Sequence, residues 1–506
     1  MFNSIRFSRR FLTAIIMTLA LALALPLSAL ANVSLTQISS DPYTNSTSQH
    51  RTQVEPDTFS FGSTIVAAQQ TGRFFDGGAS NICWSTSTNN GASWTNGCLP
   101  GITKYASPAG PYDRASDPAV AYDASHNVWM ISTLAILESG GVHGAAIVTS
   151  RSTDGGLTWS NPVTTVTGND LDKNWIVCDD TPSSPYYGHC YTQWDDHGQL
   201  NRLYMSTSTD GGLTWGAKKS TRRNYRGLGG QPVVLNNGTV CVPYWTGGSQ
   251  IGAFRSTNGG GSWSTAVLVM NISNHTVAGS LRSSALPSAE VDGAGKVYVV
   301  VQDASFRSGA SSNDIVMSTS TNCTNWTAKV RIPIDATNSG VDHFIPGIAV
   351  DRSTSGGSAR LGLTYYYYPV ANCSSSTCQL NVGFISSNNG GTSWSAPTAV
   401  AGPMTLSWLA NTSQGRMVGD YISTSYGSDG LAHGVFMVAN VPTSGGSNCQ
   451  TATPNCDQAT YTPSTGLALA AGAPVTEVAE AGNLLHPLSM AAAENANDNA
   501  EFFTSR

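Results

Sequence analysis

One eight-residue motif, Ser-Thr-Asp-Gly-Gly-Leu-Thr-Trp, occurs at Ser152–Trp159 and returns unchanged at Ser208–Trp215. Four looser copies bring the total to six, at Ser87–Trp94, Ser256–Trp263, Ser320–Trp326 and Ser387–Trp394. Successive copies begin 48 to 67 residues apart. Periods above about 40 residues are typical of multi-strand units and are too long for short helical or leucine-rich repeats. We call these six segments the repeat turns.

Each repeat turn has the chemistry of a β-turn. An Asp or Asn at the third position accepts hydrogen bonds from backbone N–H groups that follow it, and the glycines supply the positive φ that such a turn needs. The final Trp then begins the next strand with a large apolar surface. Six of the twelve tryptophans occupy this one position, which predicts a repeated wedge between strand units.

The pattern S-x-D-x-G-x-T-W resembles the Asp box of the sialidase-like β-propellers, and the resemblance covers about Val54 to Asn440. In that family the box joins the third and fourth strands of a blade, on the face away from the active site. The resemblance implies an all-β fold, a β-propeller of six or seven four-stranded blades. Seven apolar strand pairs accompany six repeat turns, so both blade numbers stay open.

The ends of the chain predict export and a domain order. Arg6, Arg9 and Arg10 precede an apolar run and an Ala29-x-Ala31 cleavage pattern, which is typical of a signal peptide. We therefore expect a secreted or periplasmic protein with no membrane segment in the mature form. The predicted domains are a signal peptide (1–31), an N-terminal extension (32–53), the propeller (54–441), and a disulfide loop with an Ala-rich tail (442–506).

Charge and cysteine content limit the classes of partner and the cellular compartment that we expect for this protein. The net charge is −6 and no basic run follows the signal peptide, which argues against nucleic acid as a partner. We expect a monomer that binds a glycan or glycoconjugate. Ten cysteines fit an oxidising compartment. The expected close pairs are Cys83–Cys98, Cys178–Cys190, Cys373–Cys378 and Cys449–Cys456, which leaves Cys241 and Cys323 to pair with each other.

Strand order locates a functional face opposite the repeat turns, where the residues before each inner strand converge. The resemblance implies retaining hydrolysis with an arginine triad on the sugar carboxylate, a Tyr nucleophile and an Asp acid/base. On that topology Asp117 or Asp172 is the candidate acid/base, and Tyr421 beside Asp420 is the candidate nucleophile. The candidate carboxylate clamp is Arg114, Arg226, Arg282 and Arg416; the further binding candidates are Lys173, Gln231 and His343.

This sequence departs from the family at its N-terminal F-R-I-P motif, because the corresponding region reads His50-Arg51-Thr52-Gln53-Val54-Glu55-Pro56. The family's catalytic residues therefore cannot be transferred position by position. Two alternatives stay open: the polar residues form only structural ion pairs, or the propeller binds glycans or proteins without catalysis. No cofactor is expected, apart from a structural calcium ion that a loop cluster would hold, comprising Asp172, Asp179, Asp180, Asp195 and Asp196.

Overall fold

The computed structural model describes residues 33–443, 448–449 and 456–469. The predicted signal peptide lies outside these residues, as do most of the disulfide loop and the part of the Ala-rich tail after residue 469. The described part is all-β, with no α-helix. It contains short 3-10 helices at His197–Gln199, Ser308–Ala310, Gly356–Ser358 and Leu406–Trp408. None of these is long and apolar enough to cross a membrane.

The strands form seven antiparallel four-stranded units. The first strand of the described residues is β1 (Leu35–Gln37). Sheet 1 contains β2 (Gln53–Phe61), β3 (Thr64–Arg73), β4 (Ala79–Ser87) and β5 (Thr95–Cys98). Sheet 2 contains β6 (Arg114–Asp123), β7 (Val128–Leu137), β8 (His143–Ser152) and β9 (Val163–Thr167). One pairing, Ala79 opposite Ala115, joins sheets 1 and 2. Sheet 3 contains β10 (Leu171–Cys178), β11 (Cys190–Asp196), β12 (Arg202–Ser208) and β13 (Lys219–Ser220).

The second half of the chain repeats this plan. Sheet 4 contains β14 (Val233–Val234), β15 (Val240–Trp245), β16 (Gln250–Ser256) and β17 (Val267–Asn271). Sheet 5 contains β18 (Ser288–Val291), β19 (Val297–Asp303), β20 (Asp314–Ser320) and β21 (Val330–Arg331). Sheet 6 contains β22 (Asp342–Val350), β23 (Leu361–Tyr368), β24 (Gln379–Ser387) and β25 (Thr398–Thr405). A hairpin follows, β26 (Ala410–Thr412) with β27 (Gly415–Met417).

Sheet 7 joins the two ends of the described chain. Its strands are β28 (Ser423–Tyr426), β29 (Ala432–Ala439), β30 (Gln458–Pro463) and the N-terminal β1. Strands from the predicted extension and from the predicted tail therefore complete this sheet. An uncovered β29 would expose a row of unpaired backbone groups, and β30 and β1 cover it.

The first strands of the sheets lie against one another. Val120 N in β6 donates to Asp57 Oδ2 in β2 over 2.7 Å, and Ile348 N in β22 donates to Ser288 Oγ in β18 over 3.1 Å. The last sheet meets the first in the same way, because Ser423 Oγ in β28 donates to Thr58 O in β2 over 3.2 Å.

The repeat turns lie between the third and fourth strands of sheets 1 to 6, as predicted. In the second turn, Asp154 Oδ1 accepts hydrogen bonds from Thr158 N over 2.9 Å and from Leu157 N over 3.1 Å. Gly156 has φ +82° and its carbonyl accepts from Thr86 Oγ1 of sheet 1 over 2.7 Å. This turn thus satisfies its Asp side chain with its own backbone and contacts the preceding sheet. The first turn lies against sheet 7, where a Cβ on Gly91 would meet His433.

Large apolar side chains fill the spaces between sheets. Trp263 of the fourth repeat turn is buried and lies edge-on to Phe254 at 5.6 Å and to Tyr191 of sheet 3 at 6.4 Å. All five expected disulfides are present, including Cys241–Cys323, which ties sheet 4 to the repeat turn of sheet 5. Five disulfides are consistent with an extracellular or periplasmic protein.

Candidate functional site

Three first strands begin with a β-bulge that turns a charged side chain inward. The pairing register shifts around Glu55 in β2, Asp117 in β6 and Lys173 in β10. These residues have φ values of +55°, +46° and +48°, a region that residues other than glycine seldom adopt. Pro follows Glu55 and Asp117, and a bulge tolerates Pro because the ladder is already interrupted there. Such strained positions are concentrated at functional sites.

Lys173 is the point at which these strands meet. Its Nζ lies 3.5 Å from Glu55 Oε1 and 3.4 Å from Asp117 Oδ1, and it donates to Asp420 Oδ2 just before β28. All four side chains are buried. Burial alone would lower the pKa of Lys173, but the carboxylates of Asp117, Asp420 and Glu55 raise it well above its usual range. The ammonium is therefore permanently charged.

Arg282 supplies the second cation. Its Nε donates to Asp420 Oδ1 over 2.6 Å and its Nη2 donates to Asp420 Oδ2 over 2.5 Å, which is a bidentate pair. Burial alone would raise the pKa of Asp420, but Arg282 and Lys173 hold it far below its usual range. Asp420 is therefore an anchor for two cations. We call the group Glu55, Asp117, Asp172, Lys173, Arg282 and Asp420 the central cluster.

Two neighbouring carboxyl groups of the central cluster have opposite pKa shifts. Burial raises the pKa of Asp117 well above its usual range, against the opposing charge of Lys173. Burial would also raise the pKa of Asp172, but Lys173 and a hydrogen bond from His197 Nε2, at 3.1 Å, lower it to about 2. The pKa shift of Asp117 is toward the protonated form and that of Asp172 is toward the ionised form.

His197 is the third titratable group at this site and lies beside Asp172. Burial would lower the pKa of its imidazole, but the hydrogen bond and charge of Asp172, together with Asp195 at 3.8 Å, raise it to about 9. The imidazolium is therefore charged at neutral pH and keeps Asp172 ionised. Proton acceptance by Asp172 and proton donation by Asp117 are the chemistry that this arrangement allows.

A narrow cavity of about 20 Å³ lies beside the central cluster, which is room for about one water molecule. Its wall includes Asp117, Asp172 and Arg73, and its mouth includes Asp76 and Gln414. Arg73 Nη1 donates to Gln70 Oε1 over 2.9 Å and to Gly78 O over 3.2 Å. The buried Arg73 Nε has no hydrogen-bond partner among the described residues. Arg73 is thus a cation bonded to neutral groups at the cavity wall.

Five of the predicted site residues belong to the central cluster, namely Asp117, Asp172, Lys173, Arg282 and Asp420. Tyr421 adjoins it, with its hydroxyl donating to Pro118 O over 3.1 Å and its ring edge-on to Trp175 at 5.0 Å. Burial raises the pKa of Tyr421 well above its usual range, so it is a neutral phenol. As a nucleophile it would need a base to remove this proton, and its hydroxyl is already bonded to a carbonyl.

The other predicted binding residues have different partners. Arg114 bonds to Asp76 at 2.5 Å and to Glu138 at 2.6 Å, and Arg416 Nη1 donates to Leu409 O and Cys449 O. Gln231 Oε1 accepts from Ala289 N over 2.8 Å and so joins two sheets. Arg226 pairs through its backbone with Arg202. Three of the four arginines predicted as a clamp, Arg114, Arg282 and Arg416, thus donate hydrogen bonds to acids or carbonyls of the chain itself.

His343 lies in a different buried group within sheets 5 and 6. Arg307 forms a bidentate pair with Asp314, with distances of 2.5 and 2.8 Å. Arg331 Nη2 lies 2.9 Å from Asp314 and 2.5 Å from Asp335. We call Arg307, Asp314, Arg331 and Asp335 the Arg307 cluster. One atom each of Asp314, Asp335 and His343 lie within 4.8 Å of one another, but two arginines already neutralise these carboxylates. Burial lowers the pKa of His343 to about 4, so it is neutral beside them.

The aspartates predicted to bind calcium lie at opposite ends of sheet 3. Asp172, Asp195 and Asp196 are at the start of β10 and the end of β11, whereas Asp179 and Asp180 follow the end of β10. Strands rise about 3.3 Å per residue, so the length of β10 separates the two groups. The five residues therefore do not form one cation site.

Sequence reasoning left Glu55, Arg73 and His197 out of the predicted site. A usable signal existed for Glu55, because Glu55-Pro56, Asp117-Pro118 and Ile345-Pro346 occupy equivalent bulges at the starts of three first strands. No local pattern marks Arg73 at the end of β3 or His197 in the link after β11. Only the packing of sheets 1 to 3 brings these two to the cluster.

A wider cavity of about 500 Å³ lies at the opposite end of the first strands. Its wall consists mainly of the turns between the first and second strands, including Gly62, Gly293 and Gly430. Its Arg352 lies 3.3 Å from Glu290, and its Arg360 forms an ion pair with Asp351. This cavity is larger, but each of its two arginines already forms an ion pair with a neighbouring carboxylate. The acid–base pair of Asp117 and Asp172 makes the smaller cavity the better candidate site.

Comparison with known proteins gives no family assignment. No known protein family matches the chain, and no curated protein matches it. Among solved structures, an ulvan lyase described as a new family of polysaccharide lyase shares 12% identity over 86% of this chain and 95% of its own, with a TM-score of 0.47. A Dyadobacter fermentans protein of unknown function shares 15% identity over 71% and 100%, with a TM-score of 0.45. A Hadza microbial sialidase shares 15% identity over 63% and 64%, with a TM-score of 0.42.

Proposed function

We propose that the seven sheets are the blades of one β-propeller with Asp-box turns, and that the protein is a secreted, sialidase-like glycoside hydrolase acting on terminal sialic acid or another acidic sugar. The propeller is supported by the first strands, which contact one another in chain order, and by the contact of sheet 7 with sheet 1. The repeat turns all lie at the end away from the central cluster. This arrangement leaves the other face, with its strained strand starts, for chemistry.

The pairing of Asp117 with Asp172 carries the proposal of hydrolysis. Asp117 is the general acid for the leaving oxygen, because burial shifts its pKa toward the protonated form. Asp172 stays ionised and is the base or the stabiliser of the developing positive charge. Two carboxyl groups with separated pKa values are the arrangement that most glycoside hydrolases use. The strained φ of Asp117 fixes its carboxyl beside Asp172.

Arg73 replaces the predicted clamp as the contact for an acidic sugar. Its guanidinium is buried at the cavity wall and bonded to neutral groups, so it retains charge for a substrate carboxylate. Burial lowers the pKa of Arg73 to about 10, which leaves it protonated at neutral pH. The cavity is too small for a whole sugar, so the ring lies at the mouth and one charged group reaches inward.

Non-catalytic glycan binding on the same face is the second candidate. One observation favours it: Arg114, Arg282 and Arg416 are already engaged with groups of the chain itself. In a site of this kind the buried charges pair with one another and stabilise the fold, and only the residues at its rim contact a ligand. The two candidates predict different results for one set of measurements.

The test measures release of 4-methylumbelliferone from its α-sialoside and its β-glucuronide by the mature chain. Asp117→Asn is expected to lower kcat/KM by about 10²- to 10⁴-fold, because general acid catalysis contributes that much. Arg73→Gln is expected mainly to raise KM. Asp429→Asn, at an exposed turn, is the matched control and keeps full activity. Binding of an acidic oligosaccharide without turnover would favour the binding protein, and an unchanged Asp117→Asn rate would overturn the catalytic assignment.

A further inference from the structure

Charge is distributed very unevenly along the chain. Residues 197–289 contain eight Lys and Arg but only one acid, Asp210, whereas the whole chain has a net charge of −6. Five of these cations are Lys218, Lys219, Arg222, Arg223 and Arg226. Neutral residues separate them into two pairs and a single arginine, so no continuous basic run marks the segment in the sequence. The structure brings them together on one edge.

These cations follow the outer edge of sheet 3. β13 is its outermost strand, and Lys218, Lys219, Arg222 and Arg223 are exposed along it and in the following loop. Lys219 lies opposite Met205 in the pairing register, and Arg226 continues the edge opposite Arg202. The stripe therefore extends from the middle of the sheet to the face that carries the central cluster.

A groove of about 730 Å³ lies between this edge and the repeat turn of sheet 4. Lys219, Arg222 and Arg255 line it, and its other wall carries the hydroxyl groups of Thr257 and Ser262. Lys219 Nζ donates to Gly260 O over 3.1 Å and to Gly261 O over 3.0 Å. Arg255 Nη1 donates to Asn322 O over 2.5 Å.

These contacts fix the cations without neutralising them. A carbonyl oxygen orients an ammonium or guanidinium group but contributes no formal charge, in contrast to the carboxylates of the central cluster. Asp210, the one acid in the segment, is held by Thr214 of its own repeat turn, at 2.5 and 2.9 Å. The groove therefore presents a concentrated positive charge on a protein that is negative overall, which attracts anions locally.

We propose that this groove binds a linear anionic polysaccharide, separately from the central cluster. Repeating carboxylate or sulfate groups match the row of Lys219, Arg222 and Arg255, and ring hydroxyls match the hydroxyl-rich wall. Single-stranded nucleic acid requires exposed aromatic rings on which bases stack. The one aromatic residue lining the groove, Trp263, is buried in the core. The lining thus favours sugar over bases.

The test measures binding of the full mature chain to polygalacturonate, with dextran as the neutral polysaccharide. Arg222→Gln/Arg223→Gln is expected to weaken binding by about tenfold, since it removes two exposed charges. Ser358→Glu/Val370→Glu changes the net charge equally at exposed positions of sheet 6 and is expected to bind like the wild type. Wild-type affinity is expected to fall between about 50 and about 200 mM NaCl.

Three results would overturn the proposal: equal loss of binding in the sheet 6 control, unchanged binding in the arginine variant, or tighter binding of a single-stranded DNA oligonucleotide than of polygalacturonate. Arg222 and Arg223 lie outside the central cluster, so their variant tests polygalacturonate binding independently of the acid–base assignment. Binding therefore reports on the groove even if the catalytic assignment fails.

Discussion

The central cluster and the Arg307 cluster are both buried groups of acids and bases, yet their charges are balanced differently. In the Arg307 cluster two arginines face two aspartates, and Arg307 donates two hydrogen bonds to Asp314. In the central cluster Lys173 faces three carboxyl groups and Asp420 receives two cations. Asp117 is left with a raised pKa. Complete pairing holds a fold together, whereas incomplete pairing leaves a proton available for chemistry.

Backbone strain separates the two regions in the same way. Glu55, Asp117 and Lys173 all have positive φ at β-bulges. Arg307, Asp314, Arg331 and Asp335 are not among the residues with positive φ. Strained conformations persist only where the surrounding structure fixes them, and they gather at functional sites. Burial and charge are therefore common to both clusters and do not identify a functional site. The central cluster differs in having incompletely paired charges on residues with positive φ.

Asp314→Asn tests the Arg307 cluster and has the largest expected effect on stability. It removes the shared carboxylate and leaves Arg307 and Arg331 buried with one acid, Asp335, so the free energy of unfolding is expected to fall by about 3–5 kcal/mol. Urea denaturation measures this, with Asp429→Asn as the exposed control. A loss below about 1 kcal/mol would mean that water or neutral groups support these arginines.

The pH dependence of the free energy of unfolding tests the role of His197 in the central cluster. Its folded pKa of about 9 exceeds its ordinary value of 6.5, so its contribution to stability is complete below pH 6.5 and is lost as pH rises to about 9. The difference in unfolding free energy between wild type and His197→Asn is expected to shrink by about 2–3 kcal/mol over that range. Denaturation at several pH values checks this, and a constant difference would show that His197 is neutral.

Asp117→Asn is expected to change the free energy of unfolding by less than about 1 kcal/mol at neutral pH. With Asp117 protonated as proposed, the acid and the amide are both neutral, and the amide retains an oxygen facing Lys173. The same kind of substitution thus has opposite consequences in the two clusters, one on activity and one on stability. If Asp117→Asn cost as much as Asp314→Asn, Asp117 would be ionised and the central cluster would be structural.

The smallest effect is expected in the repeat turns. Asp154→Asn is expected to cost less than about 0.5 kcal/mol, because an exposed amide oxygen can accept the same backbone hydrogen bonds. Four other turns already use Asn there, and Asn258 Oδ1 accepts from Ser262 N over 2.9 Å as Asp154 Oδ1 does from Thr158 N. Asp154→Ala, which removes the acceptor, is the comparison and is expected to cost about 1 kcal/mol. Equal cost in both variants would show that the charge matters.

Much of the fold was predictable because its signals are local. The repeat turns correctly marked the links between third and fourth strands, and the spacing of cysteines indicated the five disulfides. Sheet 7 was only partly predictable. Its β30 is short and lies beyond a loop, and its β1 precedes the first repeat, so their pairing depends on the open edge of β29 rather than on a pattern in either segment.

The sequence by itself determined the repeated four-stranded units, their turns and the polar residues at the starts of the first strands. Tertiary structure alone decided which of those charges neutralise one another. Glu55 and Asp420 are 365 positions apart, yet both contact Lys173. Arg114 and Arg282, equally plausible as ligand clamps in the sequence, have carboxylate partners of their own. Ionisation and pairing depend on distances of a few ångströms and on burial between distant segments, and no local pattern encodes these.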